Sequence, residues 1–183
     1  PDYFSPTGQR WDAPVYDWKH LQRSGFSWWI DRFRKLLQLV DVIRIDHFRG
    51  FAAYWQVPRE AKTAAEGEWV KAPGADFFVT LREQLGDVPI WAEDLGLITQ
   101  DVEALREQFG FPGMKVLQFA FDEKGAANPY LPFHYDRNCV CYTATHDNDT
   151  TRGWWAQLDP KWKRSVAEYL GSVNSRDIHW SMI

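Results

Sequence analysis

Short apolar runs that lead into an acid recur along this chain, with helix-like stretches between them. Val42-Ile43-Arg44-Ile45 is rich in β-branched residues, too short for a helix, and runs straight into Asp46. Its composition predicts a buried strand. Val88-Pro89-Ile90-Trp91-Ala92 leads in the same way into Glu93, and a strand-like run from Cys139 to Thr143 leads towards His146 and Asp147. A further strand is predicted over Lys115 to Phe121. The stretches between carry the other period. Ser27 to Val40 places Trp29, Phe33, Leu36, Leu37 and Val40 at helical spacing, and Asp76 to Leu85 does so with Phe77, Phe78, Leu81 and Leu85 before stopping at Gly86. Thr99 is placed to cap a helix bearing Val102, Leu105 and Phe109 on one face, with Gly110 at its end. Helices are also expected near Thr151 to Leu158 and Pro160 to Leu170. Strands that alternate with helices imply parallel βα units, because parallel neighbours need a crossover.

Spacing narrows the fold class. Glu93 to Phe119 is 26 residues and Phe119 to Asp147 is 28, close to the roughly 30 residues of one unit in a (β/α)8 barrel. Asp46 to Glu93 is 47 residues, so that unit carries an extra loop, expected at Trp55 to Gly74. The predicted fold is therefore α/β, a partial (β/α)8 (TIM) barrel. Residues 1–183 are read as the central part of a catalytic domain, with a loop at 1–18 and four βα units from about 27 to 170. The opening strands and the last strand of the barrel are missing from this reading. An open, doubly wound sheet of four to five strands is the alternative.

Composition excludes several functions. Lys and Arg number 21 against 25 Asp and Glu, a formal net charge of −4, with no basic cluster of the kind nucleic acids require. No apolar run approaches the roughly 20 residues that span a bilayer. Cys139 and Cys141 sit two apart in a strand-like run, with little scope for a bridge and none of the spacing of a zinc site. A cytoplasmic setting follows as the expectation. Aromatic residues make up 16% of the chain, including 11 Trp, which excludes disorder. Most of these rings are expected in the core. Some are expected to meet sugars, whose apolar C–H faces and hydroxyl rims match a flat ring with a polar edge.

In a βα barrel the C-terminal strand ends form the active face. Arg44 and Asp46 share one face of their strand, Glu93 and Asp94 stand just past the next, and His146, Asp147, Asn148 and Asp149 lie just past the last. Three acids on three strand ends suit glycosidic chemistry. A retaining enzyme needs a carboxylate nucleophile and, about 5–5.5 Å away, a carboxyl that protonates the leaving oxygen; a third acid can oppose the positive charge that develops on the ring. Each residue has a plainer use. Asp46 can cap a helix, Glu93 can complement a helix dipole, and His146 can be structural. Metal ligation is a further option for such acids, against which stands their scatter over separate strands.

The motifs resemble a known family. Pro1-Asp2-Tyr3-Phe4-Ser5, Gly8-Gln9-Arg10-Trp11 and Pro14-Val15-Tyr16 look like the donor-site loop of the amylomaltases, the 4-α-glucanotransferases of glycoside hydrolase family 77. Arg44-Ile45-Asp46-His47-Phe48-Arg49-Gly50 resembles its nucleophile strand and Trp91-Ala92-Glu93-Asp94-Leu95-Gly96 its acid/base strand. Phe111 to Phe119 is similar to its next strand, and Thr145-His146-Asp147-Asn148-Asp149-Thr150 to the strand with its third acid. Asp12-Ala13 and Ala144 replace glycine-containing positions of the pattern, without removing a catalytic group.

The resemblance implies Asp46 as nucleophile, Glu93 as general acid/base and Asp147 as transition-state stabiliser, with Arg44 and His146 supporting them. It implies sugar contacts at Tyr3, Gln9, Trp11, Tyr54 and Phe119. The implied partners are α-1,4-glucans and maltooligosaccharides, with glucose as an acceptor, and the implied reaction is transfer with retention. No cofactor and no metal are expected, nor any nucleic-acid or membrane partner. An α-amylase-type hydrolase shares the chemistry up to the covalent intermediate, and a non-catalytic glucan-binding module would keep the aromatics.

Overall fold

The computed structural model describes residues 6–11, 13–171 and 173–183. The chain divides into two compact units, Pro1–Phe111 and Pro112–Ile183. In the first, α1 (Trp18–Arg23) and α2 (Ser27–Leu36) precede β1 (Ile43–Ile45). A hairpin of β2 (Ala53–Gln56) and β3 (Glu68–Lys71) follows, then α3 (Gly74–Leu85), β4 (Ile90–Ala92) and α4 (Gln100–Gln108). Strands β1 and β4 pair in parallel, with Ile43 opposite Ile90, Arg44 opposite Trp91 and Ile45 opposite Ala92. The second unit holds β5 (Gly113–Val116) and β6 (Cys139–Tyr142), also parallel, followed by α5 (Thr151–Gln157), α6 (Pro160–Leu170) and α7 (Ile178–Ser181). The α/β reading with parallel strands therefore holds within each unit.

Several predicted boundaries move. The loop expected at 55–74 contains an antiparallel hairpin in which Trp55 faces Trp69 across the strands, their rings edge to face at 5.4 Å. The strand predicted at 115–121 starts at Gly113 and ends at Val116, after which Leu117–Ala120 tighten into a 3-10 turn. That turn is fixed by Asn128, buried, whose amide donates to the Phe119 carbonyl and to the Asp122 carboxylate, both at 2.8 Å. Helix α2 stops at Leu36 instead of Val40. The chain beyond it closes with shorter-range bonds from Gln38 to Lys35 and from Leu39 to Leu36, and Leu39 is exposed. The six-residue α1, begun by the Asp17 carboxylate accepting from His20 N at 2.9 Å, was too short to show a period.

Phenylalanine is the commonest residue in the first unit's core. Phe48, Phe51, Phe77, Phe78 and Phe111 are buried and linked by a chain of ring contacts, with Phe77 and Phe78 at 4.9 Å and Phe78 and Phe111 at 5.0 Å. Of the tryptophans, only Trp18 and Trp29 are buried. This corrects the expectation that most of them are core: the large indole with its N–H is seldom fully enclosed. The second unit has its own core of Leu117, Ala120, Phe121, Leu131, Val166, Ile178 and Met182. Helix α6 begins with Pro160 behind Asp159, whose carboxylate accepts from Lys161 N at 2.7 Å.

Two contacts lock α3 and α4 to the strand ends. A Cβ added to Gly74 at the start of α3 would lie 2.1 Å from the Phe51 carbonyl oxygen, so only glycine lets the helix approach that turn. Asp94, just past β4, pairs with Arg106 of α4 at 3.2 Å, both side chains only 15% exposed, while the guanidinium also donates to the Phe111 carbonyl at 3.1 Å. Gly74→Ala should lower stability by about 1–3 kcal/mol, read as a reduced urea midpoint. Asp94→Ala, which leaves a cation nearly enclosed, should cost about 3 kcal/mol in the same measurement. Wild-type stability in either variant would show that the contact is dispensable.

Candidate active site

The exits of β1 and β4 lie side by side. The ladder continues one step past the register, with Glu93 N donating to the Ile45 carbonyl at 2.9 Å and Phe48 N to the Glu93 carbonyl at 3.0 Å. Asp46 and Glu93 thus occupy equivalent positions on neighbouring parallel strands. Arg44, two residues before Asp46, reaches the same side, and its guanidinium donates to Asp46 Oδ1 at 2.7 Å. The Asp46 carboxylate is otherwise largely open to solvent. It therefore has a fixed counter-charge and a free approach.

Glu93 is held from two directions. Its Oε2 accepts from His47 N at 2.7 Å and its Oε1 from Leu95 N at 2.9 Å. Each carboxylate oxygen keeps a further lone pair for a substrate proton. His47 meets this carboxylate because its backbone is left-handed, with φ 50° and ψ 52°. That conformation is uncommon outside glycine and, among the described non-glycine residues, is shared only with Phe26. The neighbouring Asp94 turns away to Arg106, so the two adjacent acids separate into different tasks.

Arg49 joins the loops that follow the two strands. Its guanidinium donates to the Leu97 carbonyl and to Thr99 Oγ1, both at 3.2 Å, and lies 4.3 Å from the centre of the Trp69 ring. Sequence reasoning gave Arg49 no role, although its place in the run after Asp46 was the available signal. Beyond it, the Thr99 hydroxyl bonds the Asp101 carboxylate at 2.5 Å. That bond, with the N–H groups of Asp101 and Val102 and the charge of Arg49, holds Asp101 below the usual carboxylate range.

The other residues of the first unit are placed less tightly. Tyr54 is half-buried on β2 opposite Val70 and packs against the core. Gln9 is exposed, and Trp11 is 81% exposed. Arg10 between them donates to the carbonyls of Ala61 at 2.8 Å and Arg59 at 3.0 Å, which fastens this segment to the turn after β2. Tyr3 lies outside the described residues.

In the second unit His146 and Asp147 stand together past β6, with Nε2 3.4 Å from Oδ1 and both side chains exposed. The turn that carries them is closed by Asn148, whose Oδ1 accepts from Thr145 N at 3.0 Å and Thr145 Oγ1 at 2.9 Å. Phe119 is 39% exposed at the end of the 3-10 turn and meets Tyr130 edge to face at 5.4 Å. Behind β6, burial and the neighbouring Cys141 thiol push the Tyr135 phenol above its ordinary range. No helix among the described residues is long and apolar enough to cross a membrane.

The chain is similar to proteins already known. The glycoside hydrolase family 77 profile, described as 4-alpha-glucanotransferase, matches residues 1–183. A 4-alpha-glucanotransferase of Synechocystis is 58% identical over all of this chain and 36% of its own length. One from Thermus thermophilus is 58% identical over 93% of the chain and 34% of its own length. An amylomaltase structure from Streptococcus agalactiae, in complex with acarbose, superimposes with a TM-score of 0.93 at 38% identity, covering 99% of this chain and 37% of that one. The amylomaltase of Corynebacterium glutamicum shares the fold, with a TM-score of 0.75 over 99% of the chain and 26% of its own. The chain thus spans about a third of the length of the relatives it matches. By sequence over its whole extent, it belongs to the 4-alpha-glucanotransferases of glycoside hydrolase family 77.

Proposed function

We propose that these residues are the central part of a (β/α)8 catalytic domain that moves α-1,4-glucan segments to the 4-hydroxyl of an acceptor sugar, with retention. The observation that carries the reading is the register of β1 and β4, which sets Asp46 and Glu93 on adjacent strand ends. Parallel neighbours lie about 4.8 Å apart, which suits the roughly 5–5.5 Å separation of the two carboxyls in a retaining enzyme.

Asp46 attacks the anomeric carbon of the donor sugar as the glycosidic bond breaks, and Glu93 gives its proton to the departing 4-oxygen. The glucan is then esterified to Asp46 with inverted configuration. In the second step Glu93, now a carboxylate, takes the proton of an acceptor 4-hydroxyl, whose oxygen attacks the same carbon and releases Asp46. Two inversions give net retention. Arg44 holds Asp46 in line, the amides of His47 and Leu95 hold Glu93, and Asp147, with His146 beside it, opposes the positive charge on the ring in both transition states. Tyr3, Gln9, Trp11, Tyr54 and Phe119 contact the sugars, the rings by stacking. Maltooligosaccharides serve as donors and glucose as one acceptor. Acid/base and covalent chemistry of this kind needs no cofactor, and the sparing use of cysteine supports a cytoplasmic setting.

In the full-length enzyme, Asp46→Asn, Glu93→Gln and Asp147→Asn should each lower kcat for maltotriose disproportionation by about 10³-fold or more, with glucan binding retained. Wild-type products are longer maltooligosaccharides; reducing ends released without them would identify a hydrolase instead. Full turnover in Asp46→Asn would leave a binding module as the reading. The 183-residue chain by itself should show little or no transfer, since the remaining barrel strands form the rest of the cleft; brisk turnover would refute the partial-barrel assignment.

A further inference from the structure

Gln118 lies within the 3-10 turn after β5 and is only 7% exposed. Its backbone N donates to the Thr143 carbonyl at 3.2 Å, at the point where β6 ends. Its side-chain amide donates to the Asp149 carbonyl at 3.1 Å. Both ends of the segment that carries His146 and Asp147 are therefore tied to one buried residue. We propose that Gln118 is a positioning residue for Asp147, a clamp that fixes where the loop starts and where it ends. The proposal rests on the role given to Asp147 above.

The rest of the loop's bonding leaves this clamp a specific task. Inside the loop, Asn148 closes the turn onto Thr145, and Asp147 N donates to Thr145 Oγ1 at 3.3 Å. These bonds shape the turn without attaching it to anything else. At the far end the Asp149 carboxylate accepts from Thr150 N at 2.7 Å and Gln157 at 3.0 Å. It also lies against Gly153, where an added Cβ would come within 2.3 Å of it. Asp149 thus has its side chain seated on α5 and its carbonyl seated on Gln118. Strand and helix are coupled at this one residue, two positions from Asp147. Because Gln118 itself is buried, breaking its bond to the Asp149 carbonyl would leave its amide unsatisfied.

The test uses the full-length enzyme and two variants. Gln118→Met keeps the length and removes the donor; Gln118→Glu keeps the shape and restores a donor only when protonated. Hydrogen exchange of peptides covering 143–150 is measured together with maltotriose disproportionation. Gln118→Met should speed exchange in the loop by about tenfold, the size expected for one lost buried hydrogen bond, with β5 and β6 unchanged. It should lower kcat by roughly 10–100-fold with KM within about twofold. Gln118→Glu should match it at neutral pH and recover towards wild type, compared at the same pH, near pH 5. Should Gln118→Met fail to fold, that recovery alone decides. Loop exchange and kcat both at wild-type values would overturn the proposal, as would a lost kcat with unaltered loop exchange or a Gln118→Glu defect indifferent to pH. Turnover that survives Asp147→Asn overturns the functional reading instead, and is recognised by loop exchange that still responds to Gln118.

Discussion

The candidate chemistry of the first unit depends on keeping two three-residue parallel strands in register. Their few ladder hydrogen bonds contribute about 1 kcal/mol each once exchange with water is counted, too little to resist slippage alone. The phenylalanine cluster does more. Phe48 and Phe51 sit in the turn that begins two residues after Asp46, and they pack on Phe77 and Phe78 of α3. Each fully buried ring contributes roughly 1.5–3 kcal/mol. A one-step slip of β1 would draw these rings out of the core and move Asp46 away from Glu93 together. Packing and the placement of Asp46 beside Glu93 are therefore enforced by the same side chains.

Much of this was legible in the sequence, for a physical reason. Buried parallel strands are short, β-branched and bounded sharply, so Ile43–Ile45 and Ile90–Ala92 appear within a residue or two of where they were expected. Polar residues at their exits have no packing task and stand out. The hairpin was hidden because Ala53–Gln56 and Glu68–Lys71 are joined by a connection with no tight-turn dipeptide, and their stability comes from tertiary contacts such as the Trp55 N–H to the Ala64 carbonyl. Phe119 was misplaced for a related reason: Leu117–Ala120 is apolar enough for a strand, and a distant Asn128 bends it into a turn. The contacts of Arg49, Gln118 and Asp94 could not be read from local sequence, since each is made with a partner on another element.

The loops that hold the acids are stabilised in two contrasting ways. After β1 and β4, backbone amides grip the Glu93 side chain, and Arg49 spans the loops from outside. After β6, Asn148 holds the backbone within the turn, and Gln118 holds its two ends, one through its main-chain N–H and the other through its side-chain amide. In the first arrangement the acid itself is oriented, and in the second the segment beneath it is. This suits the division of labour proposed for them. A proton donor and acceptor needs its oxygens aimed, whereas a group that stabilises charge needs chiefly to be at the correct distance.

The left-handed backbone at residue 47 has an evolutionary corollary. The amide that meets Glu93 points there only while that dihedral pair is kept, so tolerance at this position is governed by main-chain conformation, whatever the imidazole contributes. Glycine, asparagine and aspartate enter that region readily and β-branched residues do not. Drift here should therefore follow the short list of residues that turn left, and a valine or isoleucine would misdirect the neighbouring strand's carboxylate without touching it.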